Sequence, residues 1–165
     1  MNIPFLIEKL EDSEEFKKFK KENPDSYLFG GFFTIDKEDK ENKYNLDFFC
    51  PKTKEMFSFH LEDGVKISKM ENISDIIPKK IIGDSKIDFD EIEKKLLEKM
   101  EKENMKNKIQ KIMISLQNNE KDFFICTVFI SNLGIIKSIM DAKTGTIESL
   151  EKHSFFDFMR VVKSK

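Results

Sequence analysis

Tryptophan is missing from this chain of 165 residues, arginine occurs once, as Arg160, and cysteine and histidine occur twice each. Each scarcity excludes something. A single guanidinium leaves almost nothing for bidentate clamping of phosphates or carboxylates. Cys50 and Cys126 stand alone in separate apolar runs, with no C-x-x-C pair and no Cys/His cluster. They therefore read as reduced, buried thiols that pack as small hydrophobes, and no metal site is expected. His60 and His153 are isolated, and no nucleophile-elbow motif accompanies them, so nothing local supports a Ser-His-Asp arrangement. Gly30-Gly31 has neither a Lys-Ser/Thr pair nor a helix after it, which excludes a phosphate cradle.

Charge of one sign is also lacking. Acidic and basic residues number 31 and 29, leaving −2. A nucleic-acid or anionic-membrane binder wants a basic face, so neither partner is expected. No apolar run approaches the ~20 residues of a membrane span. The opening Met1-Asn2-Ile3-Pro4-Phe5 meets Glu8 and Lys9 too early for a signal-peptide core, and a cytoplasmic location is expected.

What is present is architecture. Seventeen phenylalanines, with 39% hydrophobic residues overall, suffice for one ordinary domain or two small halves sharing a core. Residues 4–10 suit a short helix, with Pro4 in its first turn and Leu6 and Leu10 one turn apart. Asp12 with Glu15 forms a capping-box pattern ahead of a helix carrying Phe16 and Phe19, which Pro24 ends. Four strands are predicted next: 27–35, 44–50, 56–61 and 65–68. In the second, Tyr44, Leu46, Phe48 and Cys50 face one way; in the third, Phe57, Phe59 and Leu61 face inward, with Ser58 and His60 outward. Gly30-Gly31 signals a bulge, Asp63-Gly64 a tight hairpin, and the charged run Asp36–Lys43 a solvated loop.

Residues 71–87 form a connector whose Ile76-Ile77 and Ile81-Ile82 pairs imply packing. Asp88 then caps a helix with the stripe Phe89, Ile92, Leu96 and Met100. Strands follow at 109–116, 122–131, 135–142 and 147–150. Residues 122–131 are apolar on both faces, which predicts a central strand covered on both sides, with Phe129 in the core beside Ile114. A closing helix is expected over Phe155, Phe156, Phe158, Met159 and Val162, with His153 or Ser154 near its cap.

Helix, strands, connector, helix, strands is an order that repeats at an offset of roughly 81 residues. The predicted class is α+β: a first half over 1–70, a connector over 71–87 and a second half over 88–165. The segment Ile135-Ile136-Lys137-Ser138-Ile139-Met140-Asp141-Ala142-Lys143-Thr144-Gly145-Thr146-Ile147 resembles the PepSY-like domains, in which a hydrophobic strand enters an Asp-Ala-Lys-Thr-Gly turn and a further strand. Asp47–Phe57 resembles a related strand–turn–strand more remotely. The resemblance implies two tandem units, each a helix wrapped by an antiparallel meander, and a link to peptidase propeptides and peptidase inhibition. It brings no catalytic residues and no cofactor. Such domains are usually exported or membrane-linked, and this chain departs from them in showing no signal.

The functional expectation is therefore a non-enzymatic module that binds a protein or an extended peptide at a strand edge or a sheet face. Phe32, Phe49 and Met56, off the inward phase, are the candidate partner surface. Lys66, Lys69 and Lys137 are expected to guard the sheet edges. The alternatives are a small-molecule binder or unrecognised enzyme with a cavity between sheet and helix, and an acidic dimeric chaperone.

Overall fold

The computed structural model describes residues 1–72 and 74–154. The closing helix expected over 155–165 lies outside the described residues. Helix α1 (Ile3–Glu11) opens where Asn2 accepts a hydrogen bond from the Phe5 amide, and it buries Ile3, Leu6 and Leu10. Helix α2 (Glu14–Glu22) follows after a break of two residues. Ser13, and not Asp12, caps it: the Ser13 hydroxyl accepts from the Phe16 amide at 3.2 Å. Asp12 instead ends α1. Both residue types serve as caps, and the one-residue difference is decided by which of them leaves the helical region, at Ser13 with ψ 145°. Helix α3 (Phe89–Lys102) starts as expected at Asp88, whose carboxylate accepts from the Asp90 amide, and buries Phe89, Ile92, Leu96 and Met100.

Eight strands build one antiparallel sheet: β1 (Tyr27–Asp36), β2 (Lys43–Cys50), β3 (Glu55–His60), β4 (Lys66–Met70), β5 (Ile109–Asn119), β6 (Lys121–Ile130), β7 (Gly134–Asp141) and β8 (Ile147–Ser154). Their spatial order is β4-β3-β2-β1-β5-β6-β7-β8. Each set of four runs as a meander, and the two sets meet where β1 pairs with β5. The ladder between β1 and β2 shifts between Leu28 and Gly30, the bulge that the paired glycines announce. Strand β8 runs through His153 and Ser154, so these residues extend the sheet.

One face of the sheet carries the core. Phe33, Leu46, Phe59, Ile112, Ile114, Phe124, Cys126 and Val128 are fully or almost fully buried there, in one cluster with the apolar stripes of all three helices. Phe16 and Phe19 of α2 pack on Phe48 and Phe59, with centroids 5.1–6.1 Å apart and mostly edge-on. Phe89 of α3 lies 4.9 Å from Phe33 and stacks on Tyr44 at 5.8 Å.

Strand β6 corrects the sequence reading. Its burial alternates strictly, with Asp122, Phe124, Cys126, Val128 and Ile130 buried and Phe123, Ile125, Thr127 and Phe129 only half-buried. The strand is central but covered on one side, and Phe129 faces away from the core. Apolar residues on both faces signal a strand between two layers only if a second layer exists, and here the helices all lie on one side.

The connector is tied at several points. Tyr27 donates its hydroxyl proton to the Pro78 carbonyl at 2.7 Å, and the Ile81 amide donates to Leu28. The amides of Ile82 and Gly83 donate to the buried Asp122 carboxylate at 3.0 and 2.7 Å. Of the two isoleucine pairs in the connector only Ile81 enters the core, joined there by Ile87 at the connector's end; Ile76, Ile77 and Ile82 are exposed. The loop at Asp36 also differs from a fully solvated turn. Asp36 is buried, accepts from the Glu38 and Asp39 amides and pairs with Lys111 at 3.1 Å. The Asp39 amide is the main cause that holds its carboxyl below the usual range.

Candidate functional site

The helices leave the opposite face of the sheet open among the described residues. The register places Phe32, Ser115, Ile125 and Ile139 in one row across β1, β5, β6 and β7. Phe129 and Ile135 are partners on the same face two rows away, beyond the row of Thr127 and Lys137. Phe32, Ile125, Phe129 and Ile135 are half-buried, and Ile139 is 38% exposed. Apolar side chains thus stand at intervals along this face, with Ser115, Thr127 and Lys137 between them.

Phe32, Phe49 and Met56 all lie on this side, and the structure brings Phe49 and Met56 together as cross-strand partners. Phe49 is nevertheless only 2% exposed. Tyr27, its partner on β1, packs edge-on against it at 5.6 Å, and the connector holds that tyrosine through Pro78. Phe49 thus belongs to a small buried cluster outside the main core, and Phe32 and Met56 keep partial exposure. Lys66 and Lys69 do lie on the edge strand β4, with Lys69 paired to Glu55. Lys137 lies on β7, which β8 covers, so it guards no edge.

Beside Phe32 the face opens into a hollow of about 360 Å³ lined by Phe29, Gly30, Phe32, Asp47, Ser115 and Gln117. The bulge creates it. Gly30 stands directly opposite Asp47 on β2 and brings no side chain to that position, which leaves the Asp47 carboxyl half-buried in the lining. Burial pushes the Asp47 carboxyl above the usual carboxylate range, against the opposing pull of a hydrogen bond from Ser58 and of the His60 ring. The Gln117 amide donates to Ser115 at 3.0 Å. Lys79 of the connector also lines the hollow, and its ammonium donates to Asn119 at 3.1 Å.

Next to Asp47 runs a chain of polar side chains that sequence reasoning missed. The His60 ring bonds Asn45 through Nδ1 at 2.9 Å and Ser68 through Nε2 at 2.8 Å. These residues lie on three strands and meet only because of the β2–β3–β4 register. Hydroxyl, imidazole and amide in a row is the order of a nucleophilic relay, but Ser68 is exposed on an edge strand and the hollow lies on the other side of Asp47. The other sequence candidates do not join it. His153 approaches Glu151 at 3.6 Å on the far edge strand. Cys50 and Cys126 are both buried, and burial raises both thiols, Cys126 to about 12. Asp88 caps its helix, and Asp84 pairs with Lys143 at 3.5 Å. Among the described residues no three His, Cys, Asp or Glu side chains are grouped to hold a metal, and no helix is long and apolar enough to cross a membrane.

Comparison with known proteins gives the fold a counterpart and leaves the family open. No family model matches the chain, and no curated protein does. Among solved structures it resembles one described as "a putative lipoprotein" from Clostridium difficile 630, with a TM-score of 0.56 over 85% of this chain and 91% of that one, at 12% identity. At that identity the likeness extends to the α+β fold alone.

Proposed function

We propose that the protein acts by binding and not by catalysis, holding an extended segment of a partner protein across the open face of its sheet. The observation that carries this reading is the row Phe32–Ser115–Ile125–Ile139, apolar but for its serine and left uncovered by all three helices among the described residues. The twice-used order of one helix and four antiparallel strands supports reading the chain as two PepSY-like units joined through β1 and β5. On that resemblance a peptidase or its propeptide is one class of partner. The buried, unbridged Cys50 and Cys126 fit the reducing interior of the cell, where we place the protein.

The hollow at Asp47 supports a second reading, a small-molecule site, since about 360 Å³ is within the range of ligand pockets. One experiment separates the two. Peptides selected from a random library on the full-length protein are mapped by amide chemical shifts, with Ile125→Glu and Ile139→Glu as controls. The proposal expects shifts along β5, β6 and β7 and at least a tenfold loss of affinity in both variants. Selected peptides that map to the helical side, or that ignore both substitutions, overturn it.

A further inference from the structure

We infer that the hollow beside Gly30 is a subsite for an organic ammonium group, with Asp47 as its counter-ion. The inference rests on the proposed binding across the open face and names the chemistry one part of that face selects.

Three observations converge on it. The first is shape. The bulge at Leu28–Gly30 and the missing side chain of Gly30 open a hollow of about 360 Å³, wide enough for an aminoalkyl chain. Gly30 leaves little room for anything larger, since a Cβ built there would meet the Leu116 carbonyl oxygen at 3.0 Å. The second is charge. Asp47 has Ser58 as a hydrogen-bond partner, and no lysine or arginine of the described residues comes within ion-pair distance of it. Two other acidic groups on this side are already matched: Asp36 by Lys111 and Asp141 by Lys121. A half-buried carboxylate without a cation is costly, and a bound ammonium supplies the missing charge. The third is the lining. Phe29 and Phe32 line the hollow together with the acid, and a lining of aromatic rings and a carboxylate suits a cation with an alkyl stem. Ser115 adds a hydroxyl oxygen as an acceptor.

Lys79 is the cation nearest to hand in the lining, and Asn119 holds its ammonium. It is a like charge in the lining of the subsite, held on Asn119, and it lowers affinity without pairing with Asp47.

The ammonium has two sources, a lysine side chain of a bound peptide or a free small amine, and the test has an arm for each. In the first arm the full-length protein is titrated with n-butylamine and with n-butanol, its neutral counterpart, and amide shifts are followed at Gly30, Asp47 and Gln117. Saturable shifts with butylamine, at least tenfold weaker binding of butanol, a tenfold loss in Asp47→Asn and a gain of several-fold in Lys79→Met are expected. Equal binding of amine and alcohol, or an amine affinity unchanged in Asp47→Asn, overturns the inference. The folded state of each variant is read from the same spectra. In the second arm a face-binding peptide is compared with its lysine-to-norleucine form. A tenfold loss identifies lysine as the source, and no loss with butylamine still bound identifies a free amine. Peptide binding that ignores Asp47→Asn, with no response to butylamine, overturns the subsite and leaves the peptide reading standing. Butylamine binding with no peptide on the face does the reverse.

Discussion

Phe33 of β1 and Ile114 of β5 are direct cross-strand partners, and both are completely buried. They sit at the join between the two meanders, with the ring of Phe89 packed against Phe33. Ile114→Ala should therefore cost about 2–5 kcal/mol, the scale of a deleted core side chain. Phe129→Ala, on the open face, should cost about 1 kcal/mol, the scale of a half-buried apolar group. Urea-unfolding midpoints of the two variants check the order; a larger shift for Phe129→Ala would mean that its face of β6 is covered.

Gly145 closes the turn between β7 and β8 with φ +73°, and its amide donates to the Asp141 carbonyl at 2.8 Å. A Cβ there would meet the Ile87 side chain at 2.9 Å and the end of Lys95 at 2.8 Å. Gly145→Ala should cost about 1–2 kcal/mol from the backbone alone, and more because Ile87 is a buried neighbour. Gly64→Ala, at φ +71° with open space around it, should show only the backbone cost. Thermal melts of both variants provide the comparison.

Asp141 accepts from the Thr144 and Lys143 amides and pairs with Lys121 at 2.9 Å. The Thr144 amide first, and Lys121 next, hold its carboxyl down at about 2. The unfolded chain takes up this proton near pH 4, before the folded one does. The stability that Asp141 adds is thus complete above about pH 4 and disappears as the pH falls toward 2. Asp141→Asn should lose on the order of 1 kcal/mol at pH 7 and clearly less at pH 2, as read from urea midpoints across that range.

Asp47 runs the other way. Burial raises its carboxyl, so the folded state holds the proton more firmly than the unfolded one. The stability linked to this group is present below the usual carboxylate range and is lost as the pH rises through the folded value. Asp47→Asn should raise the melting temperature at pH 7 and change it little at pH 3. A lower melting temperature at pH 7 would show that the Ser58 bond outweighs the cost of the buried charge.

Much of this fold was legible in local periodicity. Leu46, Phe48 and Cys50 alternate in the sequence and are buried together, and the Phe89–Met100 stripe is the buried side of α3. The limits were also local. Asp12 and Ser13 offer equivalent cap oxygens, and only tertiary packing chooses between them. Strand β8 is nearly polar, with half-buried Ile147 and Leu150, so its extension to Ser154 rests on pairing with β7 and leaves no periodic trace. Phe49 and Phe129 show the same ambiguity from opposite sides. Each is off the core phase, but a tyrosine and the connector bury Phe49 while Phe129 stays half-exposed. The site was the least legible part. Asp47, Ser58, His60 and Ser68 meet through the register of three strands, and no spacing in one strand announces it.

The seam between β1 and β5 also bears on how the molecule assembles. Every other strand pair joins neighbours in sequence, whereas Phe33 and Ile114 are 81 residues apart. Each meander is a set of local hairpins that forms quickly, and the seam is the slow, long-range step that completes the sheet. Until it closes, β1 and β5 are unpaired edges, each the natural complement of the other. At high protein concentration the β5 of a second molecule can arrive first, and the product is a domain-swapped dimer with the same seam made twice. Refolding yield should then fall with protein concentration, and the length of the connector sets the concentration at which exchange overtakes closure.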